Sequence, residues 1–168
     1  GSKQEAPRVK ADPEYAFIVW EDFRNNPQWS DIYTQAFSLT GGIQWEETDG
    51  KPISTATEDQ YEPRLTVDND DGAYIVWMDE RNDDHPEVEI YLQHVSASGS
   101  ISFEENGLKI CDAPNTQFSP LVRTSGNDGG ALVIWGDKRT GSIGLYVQHV
   151  DPISGPSLTE NGVETYFG

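Results

Sequence analysis

One short phrase recurs three times along the chain, and this repeat constrains the fold more than any other feature. It reads IVWEDFRNN at residues 18–26, IVWMDERND at residues 75–83 and VIWGDKRTG at residues 133–141. The tryptophans of successive copies lie 57 and 58 residues apart. The shared motif is Trp-x-Asp-x-Arg, formed by Trp20, Asp22, Arg24, Trp77, Asp79, Arg81, Trp135, Asp137 and Arg139. Self-similarity at a fixed period predicts an array of similar structural units.

Each unit is predicted to contain four short strands. In the second unit these are residues 63–67, 73–79, 90–95 and 108–112. The segments between strands are rich in Gly, Asp, Asn and Pro, which is typical of β-connections. The predicted units span residues 4–59, 60–116 and 117–168, and residues 1–3 are interpreted as a cloning scar with a short lead-in.

The strand before each motif is apolar at nearly every position, as in AFIVW and AYIVW. An antiparallel sheet with one wet face alternates apolar and polar residues, so continuous apolarity predicts that both faces are covered. Stacked four-stranded sheets arranged around an axis achieve this. We therefore expect an all-β fold of three four-stranded antiparallel β-propeller-type blades. Because closed propellers have about 4–8 blades, three blades predict a partial or half propeller.

The repeat resembles that of bacterial secreted and cell-surface β-propeller proteins. The resemblance rests on VVWxDxR-like motifs, on the DIYTQAF, EIYLQHV and GLYVQHV segments that follow them, and on the Gln-x-x-Pro elements that open each unit. It implies a propeller fold and a secreted or cell-surface location in a bacterium. It implies no single activity.

The motif residues are expected to be scaffold. Asp and Arg two positions apart at a strand end lie on the same side of the chain, where they pair or bond to backbone. A group that is required in every unit fits a structural role better than a grafted function. The alternative is a ring of arginines that grips an anion.

Ligand-binding candidates are instead sought in the loops that differ between units. Trp29 has no counterpart in the other units, and an unpaired indole suits stacking on a sugar ring or anchoring a protein partner. The alternative is an indole folded over the end of its own blade. A second candidate group is the acidic loop of Asp83, Asp84, His85 and Glu87. Its spacing matches no established cation loop, so no cofactor and no structural metal are expected, and Ca²⁺ binding would be weak.

The net charge of the chain limits the kinds of partner that it is expected to bind. The formal net charge is −18, from 29 acidic residues against 11 lysines and arginines. This charge argues against binding to nucleic acid and to anionic membranes. The apolar runs are too short to cross a membrane, and the single Cys111 excludes an internal disulfide.

Together these features predict a non-enzymatic interaction module that binds protein or glycan through its variable loops. Two alternatives remain open. One is a fragment of a propeller glycoside hydrolase, which would need paired carboxylates, and the other is a structural spacer. Uncovered outer sheets further predict self-association or contact with more blades of a longer parent chain.

Overall fold

Three antiparallel β-sheets follow one another along the chain, one in each repeat unit. The computed structural model describes residues 2–81, 87–126 and 128–165. Within these ranges the regular secondary structure consists of strands, and no helix is long and apolar enough to span a membrane. The prediction of an all-β chain with three antiparallel sheets is confirmed.

The first two sheets each have four strands in sequence order. The strands of the first sheet are β1 (Gln4–Ala11), β2 (Tyr15–Asp22), β3 (Asp31–Ser38) and β4 (Lys51–Ser54). Those of the second sheet are β5 (Gln60–Val67), β6 (Ala73–Asp79), β7 (Glu89–Val95) and β8 (Leu108–Lys109).

The third sheet has five strands rather than the predicted four. They are β9 (Gln117–Thr124), β10 (Ala131–Asp137), β11 (Gly144–Asp151), β12 (Gly155–Pro156) and β13 (Val163–Glu164). Both short strands pair with β11, which joins Val150 to Pro156 and Val147 to Val163. In the other sheets the first of these pairings is a single bridge, Phe37 to Ile43 or Val95 to Ile101. The fifth strand is therefore a lengthened form of a contact that all three units share.

The sheets pack face to face, with the second between the other two. Ile75 and Trp77 of β6 lie in one core cluster with Phe17 and Val19 of the first sheet. Residues of the opposite face of β6, including Val76, lie in a second cluster with residues of the third sheet. Both faces of the middle sheet are thus buried, as a stacked arrangement requires.

Continuous apolarity correctly predicted two covered faces only for the middle sheet. Every residue of β6 is buried, whereas burial alternates along β2 and along the first half of β10. The outer sheets have a neighbour on one side only among the described residues. The apolar residues of their second face are therefore partly or largely exposed.

The first strands of the three sheets lie side by side, since β1 contacts β5 and β5 contacts β9. Each also carries the same bulge, with a left-handed residue at Ala6, Glu62 or Ser119. A β-bulge re-aims the local backbone and side chains. We call the end of the sheets that carries the bulges, the β2–β3 loop (residues 23–30) and the β4–β5 connection (residues 55–59) the loop end.

Candidate functional site

The Trp-x-Asp-x-Arg motif builds the same hydrogen-bonded unit in each sheet. The indole Nε1–H of Trp77 donates to Asp79 Oδ2 at 2.8 Å, and the backbone N–H of Arg81 donates to Asp79 Oδ1 at 3.0 Å. The Arg81 guanidinium also donates to Asp79 and lies 3.8 Å from the ring centre of Tyr91. The first and third units repeat this arrangement with their own residues. The motif therefore closes the end of each second strand.

The motif aspartates Asp22 and Asp137 have lowered pKa values although they are buried. Burial alone would raise the pKa of Asp22 and of Asp137. Hydrogen bonds from Arg24 and Trp20, and from Arg139 and Trp135, outweigh burial and hold both pKa values below the usual range. These aspartates stay ionised and paired, so they have no proton to donate in acid catalysis.

The motif arginines of the second and third units also cross to the preceding sheet. Arg81 Nη2 lies 3.2 Å from Ser54 Oγ, and Arg139 Nη2 lies 3.1 Å from Cys111 Sγ. Burial raises the pKa of the Cys111 thiol to about 11, so this thiol is unsuited to nucleophilic chemistry at neutral pH.

Trp29 lies exposed in the β2–β3 loop at the loop end. The residue is 38% exposed, and its role in ligand binding stays a prediction. The next residue, Ser30, is buried and tied to the second sheet. Its backbone N–H and its hydroxyl both donate to Asp59 Oδ1, at 2.7 and 2.6 Å. Trp29 therefore directly precedes a residue whose position is fixed by hydrogen bonds.

Four side chains with carboxyl groups lie next to this loop, at the boundary of the first two sheets. We call Glu21, Asp31, Asp59 and Glu62 the acidic cluster. Glu21 Oε1 accepts the backbone N–H of Glu62 at 2.8 Å, which the left-handed backbone of the β5 bulge directs across the boundary. Asp31 Oδ2 accepts from Asn25 Nδ2 at 2.8 Å. The cluster joins residues of β2, β3 and β5 to the β4–β5 connection.

Two carboxyl groups of the acidic cluster bind their protons more tightly than usual. The pKa of Glu21 is raised, first by burial and then by the negative charges of Asp59, Glu5 and Glu62. The pKa of Asp31 is raised by burial and by the charges of Asp22 and Asp59. Carboxyl groups with raised pKa values beside ionised ones are the usual arrangement for general acid and base chemistry.

Sequence reasoning missed the acidic cluster, although a signal was present. Strand pairing places Glu21 at the position of Met78 and Gly136 in the other sheets. Ser30 likewise takes the place of Val88, because the carbonyls of both accept the N–H of the glutamine that opens the next unit. A polar residue where the other repeats have an apolar one indicates that the packing shared by the repeats does not determine that position.

The acidic loop candidate can be placed only in part. Asp83, Asp84 and His85 lie outside the described residues. Glu87 Oε2 accepts the backbone N–H of Asn115 at 2.6 Å, so its carboxylate joins the β6–β7 loop to the β8–β9 connection. No group of three or more potential metal ligands occurs among residues 2–81, 87–126 and 128–165. Weak Ca²⁺ binding by this loop stays a prediction.

His94 and His149, which recur at the same position in two sheets, bind side chains of the neighbouring turns. His94 Nε2 lies 2.6 Å from Asp68 Oδ2, and its Nδ1 lies 2.7 Å from Ser102 Oγ. His149 has the equivalent contacts with Asp128 and Ser157. Although each set contains Ser, His and Asp, its repetition at the same place in two sheets identifies it as part of the turn structure.

Comparison with solved structures shows that the fold resembles part of several glycoside hydrolases. A putative glycosidase from Bacteroides thetaiotaomicron matches with a TM-score of 0.52 at 13% identity, over 98% of this chain and 52% of that chain. A thermostable family-43 glycoside hydrolase matches with a TM-score of 0.50 at 13% identity, over 99% and 55%. An α-L-arabinanase from Penicillium chrysogenum, complexed with arabinobiose, matches with a TM-score of 0.50 at 13% identity, over 87% and 42%.

The chain therefore spans about half the length of these hydrolases. No protein-family model and no curated protein sequence matches it. The expectation of a non-enzymatic module is wrong at the level of the fold, because the solved structures that the chain resembles are glycoside hydrolases. Glu21 is a carboxylate at a position where the other two units have Met78 and Gly136.

Proposed function

We propose that the three sheets are blades of a β-propeller of the glycoside-hydrolase type, and that the chain forms part of a carbohydrate-cleaving protein. The observation that carries the proposal is the structural similarity of nearly the whole chain to about half of several glycoside hydrolases. The contact between the three first strands supports it, because the inner strands of propeller blades gather around the axis.

The acidic cluster supplies the chemistry that glycoside hydrolysis needs. Two carboxyl groups act on the bond, one as a general acid that protonates the leaving oxygen and one as an ionised base or nucleophile. Glu21 fits the acid, because burial and neighbouring negative charge raise its pKa and its side chain is only half-buried. Asp59 of the β4–β5 connection and Glu62 of β5 supply the neighbouring carboxylates.

Trp29 supplies a platform for a sugar ring. Aromatic faces stack on the apolar face of sugars, and an exposed indole beside carboxylates and amides combines the two contacts that a glycan needs. Ser30 bonds to Asp59, so the residue next to Trp29 is fixed at the acidic cluster. We propose arabinose-containing oligosaccharides as the ligand class, since an arabinanase complexed with arabinobiose is among the similar structures. A secreted or cell-surface location would bring such a protein to polymeric substrates.

The test is binding and cleavage of arabinobiose and longer arabinan fragments by this chain. Binding is followed by calorimetry and cleavage by the release of reducing sugar. We expect Trp29→Ala to weaken binding at least tenfold, whereas Glu21→Gln should lower cleavage and leave binding within about twofold. Ile153→Ala, in an exposed turn at the opposite end of the sheets, is the control. The proposal fails if the fragments do not bind or if Trp29→Ala binds them as well as the original chain.

A further inference from the structure

The outer sheets each present one apolar face that no described part of the chain covers. We call the face of the first sheet that carries Ile18, Trp20 and Phe37 the leading face. A cavity of about 620 Å³ lies over it. We call the face of the third sheet that carries Leu132, Ile134 and Leu145 the trailing face, and these side chains are 38–44% exposed. Exposed apolar patches of this kind mark interaction surfaces.

The chain itself shows what a leading face binds. Ile75 and Trp77 occupy the positions of Ile18 and Trp20 in the second sheet, and both are fully buried against the first sheet. Val133 and Trp135 occupy them in the third sheet and are buried against the second. The leading face of one sheet is therefore built to receive the trailing face of another.

Polar groups at the edge of this face in the second and third sheets also bond to the preceding unit. Asn106 Oδ1 accepts the backbone N–H of Thr55 in the preceding sheet at 2.9 Å, and Asn161 Oδ1 accepts that of Asp112 at 2.6 Å. In the first sheet Asp49 stands at this position, directly before the glycine that packs on the motif tryptophan. Asp49 and Arg24 both line the cavity. The leading face of the first sheet thus carries the groups that join sheets elsewhere in the chain.

We propose that the occupant of these faces is a second copy of this chain, with each leading face against the partner's trailing face. Two copies related by a two-fold axis would form two such contacts and bury all four open faces. The result is a ring of six sheets, within the range of about 4–8 for closed propellers. The association uses the faces of the sheets rather than the loop end, so it is independent of carbohydrate binding.

Charge sets the conditions for pairing. Each copy carries a formal charge of −18, so two copies repel each other at low ionic strength. Raising the salt concentration shortens the screening length to about 8 Å at 0.15 M and about 3 Å at 1 M. Salt should therefore strengthen the pair, which is the opposite of its effect on an association driven by opposite charges.

Sedimentation at several protein concentrations in 0.15 M salt tests the proposal. We expect the mass to approach twice 18.7 kDa, with a dissociation constant that falls as salt is added. A monomer at every concentration, or open-ended polymers that keep growing with concentration, would overturn it.

Two charge insertions identify the faces. Ile18→Arg and Ile134→Arg should each give monomers, because each variant damages both contacts of the pair. If leading faces pair with each other, Ile134→Arg has no effect, and if trailing faces pair, Ile18→Arg has none. Either result overturns the proposal. Ile153→Arg makes the same chemical change away from both faces and should stay paired, and unchanged circular dichroism spectra show that the variants fold.

Discussion

The guanidinium of Arg139 lies 3.1 Å from the sulfur of Cys111, across the boundary between the second and third sheets. The equivalent contact across the preceding boundary joins Arg81 to Ser54 Oγ at 3.2 Å. The partner atom differs while the arginine stays the same. In the second and third units the motif therefore holds its own strand end and also the sheet before it.

Removal of the indole of Trp77 should cost far more stability than removal of the indole of Trp20. Trp77 is fully buried between two sheets, so Trp77→Ala should lower the free energy of unfolding by about 3–5 kcal/mol. Trp20 occupies the same position in a sheet with one open face, and in the monomer its loss should cost about half as much. Chemical denaturation of both variants measures the difference, and equal costs would mean that the leading face is not open.

Gly107→Ala should destabilise the chain through two separate effects. Gly107 has a left-handed backbone (φ +91°), and an added Cβ would collide with the ring of Trp77. The backbone effect costs about 1–2 kcal/mol and the overpacking about 1–3 kcal/mol more. Gly141 (φ +82°) has nothing near an added Cβ, so Gly141→Ala isolates the first effect. Thermal unfolding should rank the two variants, and a Gly107→Ala cost no larger than that of Gly141→Ala would show that the ring does not pack there.

Glu21→Gln should stabilise the fold at neutral pH and lose this advantage in acid. The pKa of Glu21 is raised in the folded state above its ordinary value of 4.5. The favourable contribution of its proton is therefore fully present below pH 4.5 and is lost as the pH rises through the folded pKa. The neutral glutamine keeps the amide contact with Glu62 at every pH.

Melting temperatures of Glu21→Gln and the original chain should thus differ most near pH 7 and converge below about pH 4.5. Glu14→Gln, at an exposed turn, makes the same change in net charge and serves as the control. A difference for Glu21→Gln that is flat with pH, or one that grows in acid, would show that Glu21 is not held as a proton-binding carboxyl.

Cys111 should report the opening of the boundary between the second and third sheets. The thiol is buried beside Asp137 and Arg139, and burial raises its pKa to about 11. Reaction with a thiol reagent at pH 8 should be slow in the folded chain and become immediate on unfolding in denaturant. Rapid labelling without denaturant would mean that these two sheets separate readily.

The repeat allowed the architecture to be predicted, because spacing and strand apolarity are properties of the chain alone. The acidic cluster was not predicted, because Glu21, Asp59 and Glu62 meet only through the stacking of two sheets. The fifth strand of the third sheet was missed because Gly155 and Pro156 have no strand-like pattern, and their pairing with β11 is visible only in the structure. Alignment of the three repeats gives part of the missing information, since it places Glu21 opposite Met78 and Gly136.

Mapping of backbone amide chemical shifts during titration with arabinobiose tests the central claim most directly. The account predicts that the largest changes fall at the loop end, in residues 25–31 and 59–62, and that Trp29→Ala removes them. Changes centred on the leading face, at Ile18, Gln35 and Asp49, would contradict it, as would a spectrum that arabinobiose leaves unchanged.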